Sequence, residues 1–463
     1  MFPVTPHRTP LAEEHSVSIW SALAFFFVMA AYYIMRPVRD QLSGAVGSTT
    51  LPLFYGCTFG VMLLLAPVFG ALVARFPRRQ LLGWSYSFFI VCLFVFVPAF
   101  FAQERIGARV LGTVFFVWVS VFNLFVVSLF WSFMADIFTS VSARRVFPLI
   151  ALGGMAGAVV GPLVTTLLVR LLGVAPLLMV SASMLTASLV VLLRLSTRHE
   201  QQHAGSGGDE PIGGSLWAGI KELWSRPFLR YMAILMLFSD GIGTLAYALV
   251  ADYAKAHFSD TTTRTAFYGH IDLAVNTLGA LLQLTLTRWL LMRHGAAWGL
   301  VWPAIINTAL LLLVVLGISG IVQVGFSVPL HLSDSLAALF GHSVVELGFI
   351  LSAPLAVLLV ITRGFAYGMV KPATDALYTR VPRETRYKGK NFIETAVWRF
   401  GDLVVTSGVS GLAKLGMGVA GMAAIGAGVS AVSIWLAHRA GLSPDLLPEQ
   451  APEDSSAEAA GTR

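Results

Sequence analysis

The sequence is poor in charged residues and in cysteine. Only 12% of its 463 residues are Asp, Glu, Lys or Arg, whereas 56% are hydrophobic. So little charge cannot cover the surface of a water-soluble protein of this length, and the composition is that of a polytopic membrane protein. The two cysteines, Cys57 and Cys92, lie inside apolar runs. They are therefore interpreted as small buried packing residues rather than as a disulfide or a metal site.

Enzyme motifs are also missing. The chain has no Walker-type phosphate loop, no HExxH, no paired-cysteine motif and no nucleophile elbow. Nearly all of its length lies in apolar segments, which leaves no room for a soluble catalytic domain. We therefore expect a protein that is not an enzyme and that holds no cofactor and no metal. A net charge of +7 would suit nucleic acid, but the basic residues fall mainly in alternate short loops, as in membrane proteins.

Twelve apolar segments are long enough to cross a bilayer. They cover residues 16–41, 51–74, 80–101, 109–138, 146–170, 174–195, 227–252, 265–289, 297–318, 346–371, 392–413 and 417–437. With this segmentation, seventeen basic residues fall in the loops of one side and six in the loops of the other. The positive-inside rule then places both termini in the cytoplasm. The predicted fold is an all-α protein of a bacterial inner membrane, surrounded by lipid.

Polar stretches divide the chain into parts. Ser196–Gly214 is polar and Gly-rich, as flexible linkers are, and apolar residues at helical spacing follow it. The predicted parts are an N-terminal segment (1–15), a six-helix bundle (16–195), a cytoplasmic linker with an amphipathic helix (196–226), a second six-helix bundle (227–438) and a disordered tail (439–463). We expect the protein to act as a monomer.

Charged residues cluster at the end of the first apolar segment. Arg36 and Asp40 are four residues apart, so they share a helix face and can pair, and Arg39 lies near that face. A charge at the edge of a membrane helix is costly unless it snorkels, pairs or lines a wet cavity. Two interpretations stay open: an anchor at the outer membrane interface, or an anion-binding cluster that faces a central cavity.

Other polar residues lie within the apolar segments. An unpaired charge at mid-bilayer costs on the order of 3 kcal/mol, so these side chains should face one another or water. Asp240 and Asp272 are expected to pair with arginines in an empty site, or to carry a proton. The candidate substrate-binding residues are Arg36, Arg39, Asp40, Asn123, Asp240, Asp272 and Arg363. Glu394, Arg399 and Asp402 are expected to form a latch with Lys388 or Lys390.

Two motifs concern helix packing and gating. Gly153, Gly154, Gly157 and Gly161 make a smooth groove in the fifth segment, where a second helix can approach closely. The loop after the second segment contains Gly70, Arg75, Arg78 and Arg79, which resembles the loop signature of the major facilitator superfamily. That resemblance implies a latch between neighbouring helices. Ala74 stands where the family has an acidic residue.

Several short motifs resemble the ATP/ADP antiporter family of nucleotide transporters. They are Arg36-Pro-Val-Arg39-Asp40-x-Leu42 with Gly47, Leu51 and Pro52; Phe130 to Asp136; Ala143 to Ile150; Lys371-Pro372; Leu377-Tyr378; Val381-Pro382; and Tyr387 to Glu394 with Arg399-x-Gly401-Asp402. The resemblance implies the major facilitator fold and a nucleotide-binding role for Arg39. Two departures stand out. The run Gly112–Ala135 has no carboxylate where the exchangers place a glutamate, and Asp402 replaces a lysine.

Together these observations predict a secondary transporter that works by alternating access. Its expected substrate is an anionic metabolite, with a nucleotide-like compound as one candidate, moved by exchange or by an ion gradient, since no ATP-hydrolysing domain is present. One alternative is proton-coupled efflux of amphipathic or cationic compounds, with Asp240 as the proton acceptor. A second alternative, of another class, is a membrane receptor or scaffold that transports nothing.

The loop charges generate a first test, which concerns topology. A reporter fused after Gly207 should be cytoplasmic, and one inserted at Ser335 should be external, because six predicted segments precede the first point and nine precede the second. Fluorescent and phosphatase reporters distinguish the two sides of the membrane. The twelve-segment prediction fails if both reporters are found on the same side.

Overall fold

The residues that the structure describes form twelve long helices. The computed structural model describes residues 11–138, 140–202, 223–318, 353–382, 389–390 and 392–447, and within these ranges all regular secondary structure is helical. The long helices are α1 (Leu11–Val46), α2 (Leu51–Arg75), α3 (Arg78–Phe101), α4 (Ala108–Ile137), α5 (Ser140–Leu172), α6 (Val174–Gln202), α7 (Pro227–His257), α8 (261–294), α9 (Trp298–Ile318), α10 (Pro354–Thr379), α11 (393–414) and α12 (Val419–Gly441).

Ten of the twelve helices are long and apolar enough to cross a membrane by themselves. The other two, α8 and α11, carry Asp272, Arg399 and Asp402 within their length. Buried polar residues of this kind lower the hydropathy of a helix that crosses the membrane inside a bundle. The prediction of an all-α membrane protein is confirmed, and each of the twelve predicted segments overlaps one long helix of the described residues.

The first helix is longer than its apolar segment. The sequence pattern ended the segment at residue 41, but α1 continues to Val46. Arg36, Arg39 and Asp40 therefore lie within the helix, roughly one to three turns before its end. Pro37 lies inside the same helix, where its missing N–H leaves one backbone carbonyl without a helical partner.

Successive helices alternate in direction, so the loops gather at two ends of the molecule. We call the end with residues 47–50, 102–107, 173, 258–260 and 415–418 the far end. The terminal end carries the start of α1, the end of α12 and residues 76–77, 295–297 and 380–382. The turn between α5 and α6 is a single glycine, Gly173, whose φ of 81° is accessible to glycine at little cost. The loop charges predict that the terminal end faces the cytoplasm.

The glycine groove of α5 packs against α1, as its spacing predicted. Added Cβ atoms on Gly153 and Gly157 would collide with the carbonyl oxygens of Ala22 and Phe26. On another side of α1, Ser181 of α6 donates a hydrogen bond to the Ala31 carbonyl at 2.9 Å. Close backbone approach and interhelical hydroxyl bonds are the usual means of joining helices in lipid. They hold α1 in the centre of the first bundle.

The structure moves the predicted boundaries of the linker and of the C-terminal tail, and parts of both predicted segments lie outside the described residues. α6 continues to Gln202, so it includes the start of the predicted linker. The stretch 439–447, predicted to be disordered, is ordered: the Leu447 N–H donates to the Arg380 carbonyl at 2.8 Å. The Asp445 carboxylate accepts from the Phe228 N–H at 3.2 Å. The predicted amphipathic helix falls mostly on residues 203–222, and the rest of the tail on 448–463, outside the described ranges.

The groove generates a stability test. Gly157→Ala should lower the unfolding temperature of the purified protein, because its new Cβ would lie against the Phe26 carbonyl and 3.0 Å from the Ala30 amide nitrogen. Overpacking of this kind costs about 1–3 kcal/mol. The matched control is Gly60→Ala on α2, where nothing lies within 4 Å of the added atom. Equal unfolding temperatures for the two variants would contradict the packing of α5 on α1.

Candidate functional site

A polar cavity of about 240 Å³ lies between the two bundles. Its walls come from α1, α2 and α4 of the first bundle and from α7, α8, α10 and α11 of the second. Charged and phenolic side chains dominate its lining: Arg36, Arg39, Arg363 and Arg399; Asp40, Asp272 and Asp402; Tyr32, Tyr33, Tyr55, Tyr247, Tyr268 and Tyr367. Asn123, Phe116 and Trp398 complete the polar and aromatic part of the wall.

Arg39 and Asp40 form the tightest cluster on the first bundle. The Arg39 Nε and Nη2 atoms both lie 2.7 Å from Asp40 Oδ1. The hydroxyl of Tyr247, on α7, donates to the same oxygen at 2.9 Å. The Arg39 guanidinium also lies 4.5 Å from the centre of the Phe116 ring. Because both charged side chains are almost fully buried inside the bundle, the interpretation of this motif as an outer-interface anchor is wrong.

Arg36 joins the two bundles less tightly. Its Nε atom lies 3.5 Å from Asp272 Oδ1 on α8 and 3.8 Å from Asp40 Oδ2 on its own helix. Neither contact has hydrogen-bond geometry, and the structure gives the buried Nε atom no hydrogen-bond partner. Asp272 Oδ2 likewise has none among the described residues. This pair is therefore held by charge rather than by directed hydrogen bonds.

A chain of polar contacts links three helices of the second bundle. Arg363 Nη1 on α10 donates to Asp240 Oδ1 on α7 at 2.5 Å, and its Nη2 donates to Thr244 Oγ1 at 3.2 Å. Thr244 in turn donates to Asp402 Oδ1 on α11 at 2.6 Å. Arg399 Nη1 lies 3.8 Å from the other oxygen of Asp402.

A glycine makes room for this arginine. An added Cβ on Gly243 of α7 would lie 2.8 Å from the Cζ and Nε atoms of Arg363. The absence of a side chain there lets the guanidinium lie against α7, between Asp240 and Thr244.

Three short π-helical stretches adjoin the cavity. Asn123–Val127 begins with the cavity residue Asn123, Ala366–Val370 contains Tyr367, and Ile393–Val397 leads into Trp398. A π-helical turn inserts an extra residue, which rotates the following side chains to a new direction, and such turns are frequent at functional sites. Here each lies within a helix that supplies cavity side chains.

Most candidate binding residues come together in this cavity. Six of the seven line it: Arg36, Arg39, Asp40, Asn123, Asp272 and Arg363. The seventh, Asp240, is not part of the lining but forms an ion pair with the lining residue Arg363. The tyrosines were missed, because each sits in an apolar run like any other aromatic residue. Helical spacing was the available signal: Tyr32 and Tyr33 precede Arg36 by one turn, and Tyr367 follows Arg363 by one turn.

The predicted latch has different members. Lys371 Nζ lies 2.5 Å from Glu394 Oε1 and 3.2 Å from Asp375 Oδ1, and Lys390 Nζ lies 2.7 Å from Asp375 Oδ1. Lys390 and Glu394 are 3.9 Å apart. This four-residue cluster ties α10 to the start of α11 at the terminal end. Lys388 lies outside the described residues.

Arg399 and Asp402 do not belong to that cluster, which corrects their assignment to the latch. They lie one to two turns further along α11, where they face the cavity. Gly70, Arg75 and Arg79 lie at the terminal end, around the short turn between α2 and α3. The Cζ atom of Arg75 lies 6.0 Å from the centre of the ring of its neighbour Phe76. Arg78 begins α3, and its side chain is outside the described set.

Contacts between the bundles close the far end. The Lys255 Nζ atom on α7 donates to the Val46 carbonyl at the end of α1, at 3.0 Å. The Ser48 N–H donates to Asp252 Oδ1 at 2.7 Å, and Ser410 of α11 donates to the Thr49 carbonyl at 3.3 Å. The cavity is thus sealed towards the far end. On the side of the terminal end, the cavity is lined by Trp398 and Arg399, which lie near the start of α11.

Comparison with known proteins supports the fold. No protein-family model matches the sequence, and a comparison with curated proteins finds no match. Solved structures do match: a point mutant of the nucleoside transporter NupG has a TM-score of 0.62 at 11% identity, covering 92% of this chain and 99% of that one. A bacterial homologue of the iron transporter ferroportin in an inward-facing state has a TM-score of 0.59 at 14% identity, covering 94% and 100%.

A third solved structure is a bacterial homologue of the human lysosomal transporter Spinster, inward-facing and unoccupied. Its TM-score is 0.56 at 13% identity, and the match covers 96% of this chain and 100% of that one. At such low identity these likenesses show only that this chain shares its fold with solved transporter structures. They do not single out the ATP/ADP antiporter family, so that resemblance stays a prediction.

The Arg363–Asp240 pair generates a test by double substitution. Arg363→Gln should lower the free energy of unfolding by about 3–5 kcal/mol, because it leaves the buried Asp240 carboxylate without its charge partner. Adding Asp240→Asn should restore much of that loss, since no unpaired charge remains. Unfolding of the purified protein in detergent measures both.

The control for that cycle is Lys371→Gln at the terminal-end cluster. Its side chain is 44% exposed, and exposed ion pairs contribute about 1 kcal/mol or less. If Arg363→Gln costs no more than Lys371→Gln, the pair is not the buried one that the structure shows.

Proposed function

We propose that the protein is a secondary transporter that carries an organic anion with an aromatic ring through the central cavity by alternating access. The observation that carries this proposal is the lining of one cavity by four arginines from both bundles. Charge-assisted hydrogen bonds from arginine are about twice as strong as neutral ones, and the guanidinium fork matches carboxylate and phosphate groups.

The arginines are kept in position by groups that a substrate can replace. Arg39 directs two nitrogen atoms at one oxygen of Asp40, the arrangement that a phosphate or carboxylate oxygen of a substrate would adopt. Asp40 would keep its hydrogen bond from Tyr247 after such an exchange. The resemblance to nucleotide transporters assigns its nucleotide-binding basic residue to the same Arg39.

Aromatic side chains support a substrate with a ring. Six of the chain's eleven tyrosines line the cavity, together with Phe116 and Trp398. Ring faces accept stacked planar groups, and phenolic hydroxyls add hydrogen bonds. The volume of about 240 Å³ is below the roughly 300–1,000 Å³ of clefts for drug-sized ligands. These features support a nucleotide-like anion no larger than a nucleoside monophosphate over a triphosphate.

The positions at which this chain departs from the nucleotide exchangers also support a nucleoside monophosphate over a triphosphate. The exchangers place a glutamate in their fourth span, whereas the run Gly112–Ala135 has no carboxylate and contributes Asn123 to the cavity wall. Asp402 stands where the exchangers have a lysine. The added aspartate lowers the positive charge that a triphosphate would need. We therefore do not assign ATP/ADP exchange to this chain.

Alternating access would reuse the contacts at the far end. Opening there requires the bonds from Lys255 to Val46 and from Ser48 to Asp252 to break, while the bundles close at the terminal end. Each of these contacts joins one bundle to the other, so a rocking motion of two rigid bundles breaks them together.

Purified protein and a ligand panel test this proposal. Nucleoside monophosphates, sugar phosphates and organic acids are compared by the shift in unfolding temperature, because a ligand that binds the folded state stabilises it by about 2.7 kcal/mol at a hundred times its Kd. Arg39→Gln should abolish the shift that a nucleoside monophosphate produces. Arg39→Lys should keep part of it, since the charge remains but the fork is lost.

The control is Arg105→Gln, on an exposed residue between α3 and α4, which should bind as the wild type does. The competing function, proton-coupled efflux of a cation, predicts the reverse pattern: Asp240→Asn silences transport and Arg39→Gln has little effect. An anion-induced shift that is unchanged in Arg39→Gln would refute the assignment of the arginines to the substrate.

A further inference from the structure

Asp272 is the least satisfied charged group of the cavity. It is 97% buried, since its exposure is 3%, yet one carboxylate oxygen has no hydrogen-bond partner among the described residues. The other oxygen faces Arg36 Nε at 3.5 Å. A buried carboxylate normally needs hydrogen bonds as well as a counter-charge. Arg36 is the nearest cation to Asp272, and it is one of the groups that the proposed anion would engage.

The charges of the site are balanced when it is empty. Four arginines line the cavity, and four aspartates accompany them, counting Asp240 behind Arg363. An incoming anion adds negative charge to this neutral, buried cluster. When it contacts Arg36, Asp272 loses the interaction that stabilises its charge. A carboxylate in that position is neutralised most directly by a proton.

We propose that Asp272 takes up one proton when an anion binds at Arg36, so that the anion and a proton cross the membrane together. This inference rests on the proposed function and names its coupling ion. In the empty site Arg36 is paired with ionised Asp272. In the loaded site Arg36 is paired with the anion, and Asp272 is a neutral carboxylic acid whose O–H can donate a hydrogen bond. One proton enters the site from solution with each anion, and both leave together on the other side.

The other three aspartates differ from Asp272 because one oxygen of each already accepts a hydrogen bond. Asp40 receives bonds from Arg39 and Tyr247. Asp240 receives the short bond from Arg363. Asp402 accepts from Thr244 and lies near Arg399. Each of these three carboxylates therefore already accepts a hydrogen bond, whereas neither oxygen of Asp272 accepts one from the described residues.

Asp272 is surrounded by titratable groups of known position. On α1 it faces Arg36, Arg39, Asp40 and Tyr33, and on α10 it faces Arg363, with Tyr367 beside Arg36. α5 meets α8 at Gly269 through Pro162, Thr165 and Thr166, which do not titrate. On α8 itself, His270 Nδ1 lies 2.8 Å from the Ala266 carbonyl and near Arg170. Arg36 is therefore the cation whose engagement by an anion changes the environment of Asp272 most.

Proton uptake on binding tests the inference directly. Protein in weakly buffered detergent at pH 7.5 is mixed with AMP adjusted to the same pH, and a pH-indicator dye records the protons removed from solution. The wild type should take up about one proton per AMP bound. Asp272→Asn, which mimics the protonated acid, should bind AMP with no uptake, and Asp272→Glu should restore it. The exposed Glu104→Gln serves as the control and should behave as the wild type.

The pH dependence of binding gives a second readout. Since the loaded state holds one proton more than the empty state, AMP affinity of the wild type should fall as pH rises, by up to about tenfold per unit. Between pH 7 and 8.5 the AMP phosphate is already a dianion, because its second pKa is about 6. Asp272→Asn should bind with an affinity that hardly changes over that window.

The outcomes separate this inference from the proposed function. AMP binding without proton uptake by the wild type, or uptake that persists in Asp272→Asn, overturns the role of Asp272 and leaves anion transport standing. No AMP binding by the wild type overturns the nucleotide-like substrate, and the proton role falls with it. If Asp272→Asn does not fold, two other variants decide the question. Asp272→Glu should still take up a proton on binding AMP, and the AMP affinity of Arg36→Gln should not change with pH, because Arg36 is the cation whose engagement drives the proton uptake.

Discussion

The need to neutralise arginines inside a membrane protein governs this structure. Arg36, Arg39 and Arg363 lie within long apolar helices, where a lone charge in lipid costs several kcal/mol. Each is therefore placed against a carboxylate, and two of the three pairs join different helices: Arg36 to Asp272 and Arg363 to Asp240. These pairs align α1 with α8 and α10 with α7. The same pairs leave cationic groups exposed to one cavity, where an anion can compete for them.

The close packing around α1 makes that arrangement rigid. Gly153 and Gly157 of α5 let backbones touch, and Ser181 of α6 donates to an α1 carbonyl. A helix held in this way presents Arg36 and Arg39 at a fixed depth and rotation. The movable contacts lie elsewhere, at the far end, where Lys255 and Asp252 bind the end of α1 and the residues after it. The close packing thus lies around the cavity helices, whereas the contacts between the two bundles at the far end are a few hydrogen bonds.

Much of the fold could be predicted from the sequence, but less of the site. Long apolar runs gave twelve helices, because a bilayer demands about twenty apolar residues for each crossing. The charged residues within the runs were recognised as cavity candidates for the same energetic reason. The tyrosines were not, since a phenol in an apolar run resembles a packing residue until its neighbours are known. Arg399 and Asp402 were placed in a latch because they lie near the start of α11, whereas Ile393–Val397 is a π-helical turn and both residues face the cavity.

The sequence by itself determined the class of the protein, the long helices of the described residues and the identity of the charges that had to be neutralised. Hydropathy and helical spacing are local properties, and they suffice for these features. Only the tertiary structure decided which charges meet, because partners such as Arg363 and Asp240 are 123 residues apart. It also decided that Asp402 is bonded to Thr244 and that one oxygen of Asp272 accepts no hydrogen bond from the part of the chain that the structure describes. Distances between helices depend on packing along their whole length, which no short stretch of sequence records.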